Sequence, residues 1–220
     1  EEITKFTLLK LWRLSKALLP TVVLIFAVLG TIFMGMAPPT EAAALGCLAS
    51  IILAIFHRKL TLNLLKIASI ETLRVSAFVV MIAGMSYAFV GIFMNGGAGD
   101  VVSNLILSVP GGKWASFSVI MAIVFFLGMF IEWIGIVFII VPVFSPIFIQ
   151  LGFDPLWAGL MVCVNLQMAF MSPPMAMSIF VLKGSAPPEL GISMRDIIMG
   201  VIPFILLVMI ALAILSIFPE

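Results

Sequence analysis

Long apolar stretches that are almost free of charged residues dominate the sequence and predict helices that cross a membrane. These stretches cover residues 17–36, 41–56, 75–95 and 197–219. About 20 apolar residues are needed for one crossing, because each residue adds about 1.5 Å to a helix and the hydrocarbon core is about 30 Å thick. Residues 60–73 instead alternate apolar and polar positions near helical spacing, which predicts an amphipathic helix at the membrane surface.

The segment between residues 114 and 149 does not fit two ordinary spans. Its first part, 114–131, has 18 uncharged residues, whereas the return part, 136–149, has only 14 residues and contains two prolines. Fourteen helical residues reach about 21 Å, which is less than the hydrocarbon core. We therefore predict a re-entrant helical hairpin over Trp114–Ile149, with its tip at Glu132–Gly135. The alternative is two full spans joined by a surface turn.

The following segment, residues 155–183, predicts one crossing made of two half-helices. An apolar half runs over Pro155–Met171, Ser172-Pro173-Pro174 interrupts it, and a shorter half continues over Met175–Lys183. Proline has no N–H to donate and its ring collides with the preceding helical turn. The fold class that we predict is therefore an all-α polytopic membrane protein with a hairpin and a broken helix.

The positions of lysine and arginine orient the predicted spans. With a cytoplasmic N-terminus, ten basic residues fall in cytoplasmic segments and only Lys113 falls outside. Such an excess of basic residues is typical of cytoplasmic loops. This topology has five crossings, because the hairpin adds none. A second copy fused in sequence would then be inverted, so the chain is expected to be one inverted repeat of a secondary transporter.

Composition restricts the function classes. Hydrophobic residues make up 64% of the 220 residues and charged residues only 10%, against about 25% charged in soluble domains. This excludes a soluble enzyme, a nucleic-acid binder and a disordered chain. Since the sequence also has one histidine and no HExxH motif, we predict that it is not an enzyme. The chain begins at Glu1 without a methionine, as expected of a piece of a longer protein.

Two irregular stretches, residues 126–135 and 165–177, carry the candidate chemistry. Irregular backbone at membrane depth is tolerated only where it is buried in protein or lines a cavity. We therefore expect the two stretches to be neighbours in space.

The second stretch predicts a cation site. The missing N–H groups of Pro173-Pro174 would leave the carbonyls of Ala169 and Phe170 free at the negative end of a half-helix. Ser172 adds a hydroxyl, and Asn165 adds polarity further upstream. These oxygen ligands suit Na⁺, and the positive N-terminal end of the next half-helix suits a carboxylate. The alternative is a proline kink in a packed helix.

In the first stretch, Gly128 and Gly135 bracket the expected tip. Gly128 permits a close approach of another backbone, and its carbonyl is free if the helix ends there. Glu132 is the only ionisable residue between Lys113 and Asp154. At membrane depth it would face a cavity, pair with a cation or stay protonated. The alternative is a solvated tip that Glu132 simply caps.

We also assign candidate substrate or gate residues. This set, which partly overlaps the polar residues of the two stretches, comprises Glu132, Trp133, Asn165, Pro173 and Pro174. For Trp133 the alternative is an anchor at the membrane interface.

Four sequence blocks carry a resemblance to a known family. They are APPTEAAALG (37–46), LGMFIEWIGI (127–136), LGFDPLWAGLMVCVNLQ (151–167) and MSPPMAMSIFVLKGSAPPE (171–189). In this order they resemble the C-terminal half of the large membrane subunit of TRAP (tripartite ATP-independent periplasmic) transporters, and the resemblance covers nearly the whole chain. The serine of Ser172-Pro173-Pro174 departs from the threonine of many members, although the hydroxyl is kept.

The resemblance implies an elevator-type transporter in the bacterial inner membrane, built from two inverted repeats. Na⁺ would drive the uptake of an organic acid, and no further cofactor is implied. The implied partners are a small membrane subunit, a periplasmic substrate-binding protein and the N-terminal half of the same permease. The implied Na⁺ ligands are Gly128, Ala169 and Met175 through backbone oxygens, together with Ser172.

On this basis we divide the chain into two regions. Residues 1–74 are predicted to form scaffold helices with an interfacial arm helix, and residues 75–220 a transport-type region. Two alternatives remain for the function: a stand-alone Na⁺/dicarboxylate symporter of similar architecture, or a non-transporting structural subunit of a membrane complex.

Overall fold

The computed structural model describes residues 8–218, with side chains over 18–187 and 189–218. This part of the chain is helical and contains no strand. Four of its helices are long and apolar enough to cross a membrane: Pro39–Phe56, Leu62–Asn95, Trp133–Gln150 and Met194–Ile217. The predicted class, an all-α membrane protein, is confirmed, while the number of crossings stays a prediction. Contacts divide the chain into two compact units, one up to Arg74 and one from Val75 onward.

In the first unit, α1 (Leu8–Phe33) packs on α2 (Pro39–Phe56). Pro39 lies in the first turn of α2. N–H groups in the first turn have no partner within the helix, so the missing N–H of proline costs no hydrogen bond there. Glu41 lies in the same turn, where its charge complements the positive end of the helix dipole. Most apolar side chains that the structure describes in this pair, from Leu18 onward, are exposed, as expected of helices that face lipid or another protein.

The third helix, α3 (Leu62–Asn95), is one continuous element of 34 residues. The sequence pattern predicts a surface helix over 60–73 and a separate span from Val75, whereas the structure joins the two in one helix. The first glycine after Leu62 is Gly84, and α3 contains no proline, so no residue ends the helix at the predicted boundary. An interfacial position for its first turns stays a prediction.

The second unit contains a hairpin, a broken helix and a long final helix. The helices of this unit after α3 are α4 (Ala98–Leu107), α5 (Gly112–Gly128), α6 (Trp133–Gly135), a π-helical segment (Ile136–Ile140), α7 (Val141–Gln150), α8 (Pro155–Met171), α9 (Met177–Ser185) and α10 (Met194–Ile217). A short 3₁₀ turn, Pro188–Leu190, lies between α9 and α10.

The hairpin differs from its prediction in two ways. Its descending arm α5 ends at Gly128, and the return arm begins at Trp133, so the tip is Met129–Glu132 and Gly135 is helical. The return arm runs without interruption over Trp133–Gln150, 18 residues rather than 14. At 1.5 Å per residue it is about 27 Å long, which is close to the hydrocarbon thickness. Its length is therefore no argument against a full span.

Aromatic packing fixes the base of the hairpin against the start of α8. The Trp114 and Trp157 ring centroids lie 6.1 Å apart, and Phe117 lies 5.1 Å from both Phe153 and Trp157. Asp154 caps α8 by accepting hydrogen bonds at 2.9 Å from the backbone N–H groups of Leu156 and Trp157.

At the opposite ends of these two helices, Gly128 of α5 contacts Ala169 and Leu166 of α8. Because the first turns of α5 and α8 meet at the base and their last turns meet here, the helices run parallel. Their C-terminal ends therefore lie side by side.

The final helix α10 runs antiparallel to α8 and packs on both halves of the broken helix. Near its end, the Leu215 carbonyl accepts a hydrogen bond from Trp157 Nε1 at 3.3 Å. Near its start, Ile197 packs with Ala176 and Ile179. The two halves are thus held against one continuous helix.

Candidate functional site

The broken helix is interrupted over Ser172–Ala176. The first half, α8, ends at Met171, where the two prolines forbid its continuation, and α9 begins at Met177, two residues later than predicted. Ala176 has φ 26° and ψ 52°, a left-handed conformation that is uncommon for a residue with a Cβ. Its side chain is buried, so packing holds the backbone in this turn.

The hydrogen bonds at the break correct one prediction. The carbonyls of Ala169 and Phe170 are not free: Ser172 N–H donates to Ala169 O at 3.1 Å, and Ser178 Oγ lies 3.4 Å from Phe170 O. The prolines remove the usual donors, and local groups take their place. Each carbonyl oxygen has two lone pairs, so one remains on each.

Two other carbonyls have no hydrogen-bond donor within residues 8–218. They belong to Met171 and Met175. In a continuous helix Met175 N–H would donate to Met171 O, but here it donates to Met129 O of the hairpin tip at 3.2 Å. The hydrogen bond between the hairpin tip and the helix break therefore leaves the Met171 carbonyl without its usual donor, which the sequence did not indicate.

Ser172 lies inside the break with 4% of its surface exposed. Its Oγ donates to Met168 O at 2.8 Å. The hydroxyl hydrogen is thus engaged, whereas the oxygen lone pairs remain available to a cation.

The hairpin tip meets this break through Gly128 and Met129. A Cβ on Gly128 would lie 2.6 Å from the Ala169 Cβ, so only glycine permits this approach. The Gly128 carbonyl is the last of α5, and within the described part of the chain no donor reaches it. The prediction that the two irregular stretches are neighbours is confirmed.

A cavity of about 120 Å³ lies between the tip and the break. Its walls include three of the four predicted cation ligands, Gly128, Ala169 and Met175, and two of the predicted gate residues, Glu132 and Trp133. Ser172, whose N–H donates to Ala169 O, does not line this cavity. Apart from Glu132, the lining side chains are apolar, so polar contacts inside the cavity come mainly from the backbone.

Glu132 occupies the position just before the return arm, with an extended backbone (φ −61°, ψ 144°). Its side chain makes no capping hydrogen bond, and its role at the tip stays a prediction. Glu132 and Trp133 are both exposed, and both border the cavity.

The other predicted gate residues lie elsewhere. Asn165 is buried between α5 and α8, where its Nδ2 donates to Met121 O at 2.7 Å, and it lines neither this cavity nor the next. Pro173 and Pro174 are exposed within the break and act on the site through the helix that they interrupt.

A second, more open cavity of about 470 Å³ adjoins the first. The two share Trp133, Leu166 and Phe170, and the second adds the polar side chains of Gln167 and Ser178. Ser178 is not among the residues that the sequence indicated. Its place in the first turn of a half-helix is the signal that would have indicated it.

Four helix ends converge on these cavities. The C-terminal ends of α5 and α8 carry partial negative charge, and the N-terminal ends of the return arm and α9 carry partial positive charge. This arrangement offers carbonyl oxygens to a cation and N–H groups to an anion within one small region.

The whole chain, residues 1–220, matches the family model described as the DctM component of the tripartite ATP-independent periplasmic transporters. The chain belongs to this family. The resemblance drawn from the four sequence blocks is thereby confirmed. Membership also agrees with the prediction that the chain is not an enzyme, because the family consists of transporter permeases.

Several curated proteins are similar to this family member. An uncharacterised protein of Salmonella typhimurium, YgiK, is 28% identical over 92% of the chain and 46% of its own length. The sialic acid TRAP transporter permease SiaT of Haemophilus influenzae is 29% identical over 88% of the chain and 31% of its own length. The isethionate TRAP transporter permease DctMQ of Oleidesulfovibrio alaskensis is 30% identical over 80% of the chain and 27% of its own length. The chain therefore spans less than half the length of each of these three relatives.

Proposed function

We propose that this chain is the C-terminal part of a large permease subunit that takes up an organic acid into a bacterial cell, driven by Na⁺. The multi-pass permease would lie in the inner membrane. It would act with a small membrane subunit, a periplasmic substrate-binding protein and its own N-terminal half. Family membership supports the tripartite assembly, and the relatives named for sialic acid and isethionate support an organic acid as substrate.

The observation that carries the Na⁺ proposal is the meeting of two helix C-terminal ends at Gly128 and Ser172–Ala176. The carbonyls of Gly128 and Met175 have no hydrogen-bond donor within the described residues. The Ala169 carbonyl oxygen and the Ser172 hydroxyl oxygen each accept or donate one hydrogen bond and still have a lone pair available. Unwound carbonyls at half-helix C-terminal ends are the usual Na⁺ ligands of secondary transporters. The residues present therefore fit a small hard cation.

The N-terminal ends of the return arm and α9 would serve the anionic substrate. Their first-turn N–H groups favour a carboxylate, as at other helix N-termini. Glu132 and Trp133 stand at the cavity margin, where Glu132 would repel a carboxylate unless it is protonated or paired with a cation. We therefore assign these two residues to a gate rather than to the substrate contact.

The two compact units suggest a division of labour. In an elevator mechanism the unit from Val75 onward, which contains the hairpin and the broken helix, would carry the substrate. The unit up to Arg74 would belong to the static scaffold. The elevator, the inverted repeat and these roles are proposals.

The experiment is Na⁺-dependent uptake in proteoliposomes that contain the full-length permease with its small subunit and added binding protein. Ser172→Ala removes one oxygen ligand and one buried hydrogen bond, a loss of about 1–3 kcal/mol. The half-saturating Na⁺ concentration should rise roughly 5- to 150-fold, since about 1.4 kcal/mol corresponds to a factor of ten. Ser172→Thr keeps the hydroxyl and should have a mild effect.

Ser216→Ala is the matched control, because Ser216 makes the same type of bond, from its Oγ to the carbonyl four residues back at 2.8 Å, in α10. It should leave the Na⁺ dependence unchanged. If Ser172→Ala also leaves it unchanged, the break is a packing kink and the Na⁺ site is wrong. Uptake without the binding protein would favour a stand-alone symporter instead.

A further inference from the structure

Asn165 links the descending arm of the hairpin to the first half of the broken helix. The residue is only 1% exposed. Its Nδ2 donates to Met121 O of α5 at 2.7 Å and lies 3.7 Å from Met121 Sδ. The hydrogen bond therefore joins a side chain of α8 to the main chain of α5, in a contact that is otherwise apolar.

The position of this bond relative to the site is what gives it a role. Asn165 lies four residues before Ala169, and Met121 lies seven residues before Gly128, which are distances of about 6 Å and 10 Å along the two helices. Because α5 and α8 run parallel, a slide of one along the other would break the bond. The same slide would move Gly128 past Ala169.

Beside Asn165, apolar packing is a less specific constraint on this register than a directional hydrogen bond. The neighbouring contacts come from buried side chains such as Ile120, Val124 and Leu166, and hydrophobic burial is non-directional. A hydrogen bond to one particular carbonyl is directional, and a single buried polar side chain is an established way to specify register between helices.

We propose that Asn165 is a positioning residue that sets the register of α5 against α8 and so holds the Gly128 carbonyl at the break. The proposal rests on the proposed function, because the site that it positions is the Na⁺ site. Asn165 lines neither cavity, and it acts through Gly128, Met129 and Ala169 rather than as a ligand or gate.

The first test uses Asn165→Leu in the full-length permease complex. Leucine has nearly the same size and branching but no donor. The half-saturating Na⁺ concentration should rise about tenfold, with the maximal rate at saturating Na⁺ unchanged. In the double variant with Ser172→Ala the two effects should be less than additive, because a ligand lost from a displaced site costs less. An unchanged half-saturating concentration would overturn the proposal.

Ser116→Ala is the matched control. Ser116 is also 1% exposed, and its Oγ donates to Ile106 O of α4 at 2.8 Å. The variant removes a buried bond between helices near the other end of α5. It should lower the melting temperature of the complex while leaving the half-saturating Na⁺ concentration unchanged. Should Asn165→Leu behave in the same way, Asn165 is a stabilising residue only.

The second test does not depend on Na⁺. Cysteines replace Met129 and Met175, which share the backbone hydrogen bond across the site, in a protein lacking Cys47 and Cys163. Asn165→Leu should slow oxidative cross-linking of this pair several-fold, and Ser116→Ala should not. Equal rates in all three proteins would refute the positioning role.

Different results would contradict the proposed Na⁺-driven uptake and the proposed positioning role of Asn165. If the parent protein shows no Na⁺-dependent uptake, the proposed function fails, while the cross-linking rates still decide the role of Asn165. If Asn165→Leu does not accumulate, Asn165→Ser replaces it in both tests, since its hydroxyl is too short to reach Met121, and the same outcomes apply.

Discussion

Individual residues shape this site mainly through the groups that they lack. Gly128 has no Cβ, which lets α5 approach Ala169, and Pro173 and Pro174 have no N–H, which ends α8. The oxygens around the cavity belong largely to the backbone. Substitutions at such positions should therefore act by moving carbonyls rather than by removing functional groups.

Gly128→Ala tests directly whether a substitution here acts by moving a carbonyl. The new Cβ would lie 2.6 Å from the Ala169 Cβ, and over-packing of this kind costs about 1–3 kcal/mol. We expect a lower melting temperature of the complex and a higher half-saturating Na⁺ concentration. Both can be measured on the same preparation, by thermal unfolding and by uptake.

A compensating change tests the cause. Ala169→Gly in the Gly128→Ala protein restores the space and should recover most of the Na⁺ affinity. Gly159→Ala is the control within α8, because a Cβ there meets no atom within 4 Å, and it should have no harmful effect. Failure of the rescue would show that the contact with Ala169 is not the reason for the defect.

At the scale of elements, the site lies where the C-terminal ends of two parallel helices, α5 and α8, meet. The hairpin arm α5 and the half-helix α8 start together at the aromatic cluster and end together at Gly128 and Met171. The nine residues of α9 continue beyond the break, a further length of about 13 Å. The hairpin tip lies beside the break, so it does not reach as far as the end of α9. A hairpin that turns back before the end of a crossing helix is what a re-entrant hairpin would show, and the arrangement favours that prediction.

Accessibility of position 132 distinguishes a re-entrant tip from a surface turn. We expect a cysteine at Glu132, in a protein lacking Cys47 and Cys163, to react with an impermeant thiol reagent in a manner that depends on substrate and Na⁺. The reason is that the tip borders a cavity that both ligands would alter. A cysteine at Lys59, in a loop that the topology predicts to be cytoplasmic, is the reference. Full reactivity from the cytoplasmic side under every condition would instead support two complete spans.

At the scale of the whole molecule, family membership and the apolar helices indicate a multi-pass membrane protein. Its orientation still rests on the sequence, where ten basic residues lie on one predicted side and Lys113 on the other. Such an asymmetry normally orients a membrane protein.

Single-cysteine labelling in intact cells tests this orientation. Cysteines at Arg58 and Arg195 should be protected from an impermeant reagent applied from the periplasm, and one at Lys113 should react. Permeabilised cells provide the control, because all three positions should then be labelled. Periplasmic labelling at position 58 would overturn the topology.

The sequence by itself determined the class of the protein and the residue at which the proline-interrupted helix ends. Scarcity of charge and the presence of proline are local properties: they make a stretch insoluble in water or unable to continue a helix whatever surrounds it. For this reason the membrane class and the end of α8 at Met171 were both accessible from the sequence. The continuity of α3 and the start of the return arm were not, because weak boundaries have no single residue that enforces them.

Only the tertiary structure decided which polar groups meet. The sequence indicated free carbonyls at Ala169 and Phe170, but local donors satisfy both, and the redirected N–H of Met175 leaves Met171 O without a donor among the described residues instead. Likewise the sequence indicated Asn165 as a substrate or gate candidate, and the structure shows its bond to Met121, which the sequence did not indicate. These outcomes depend on groups far apart in the chain, whose distance and direction are set by the packing of α5 against α8 and are not encoded in either segment alone.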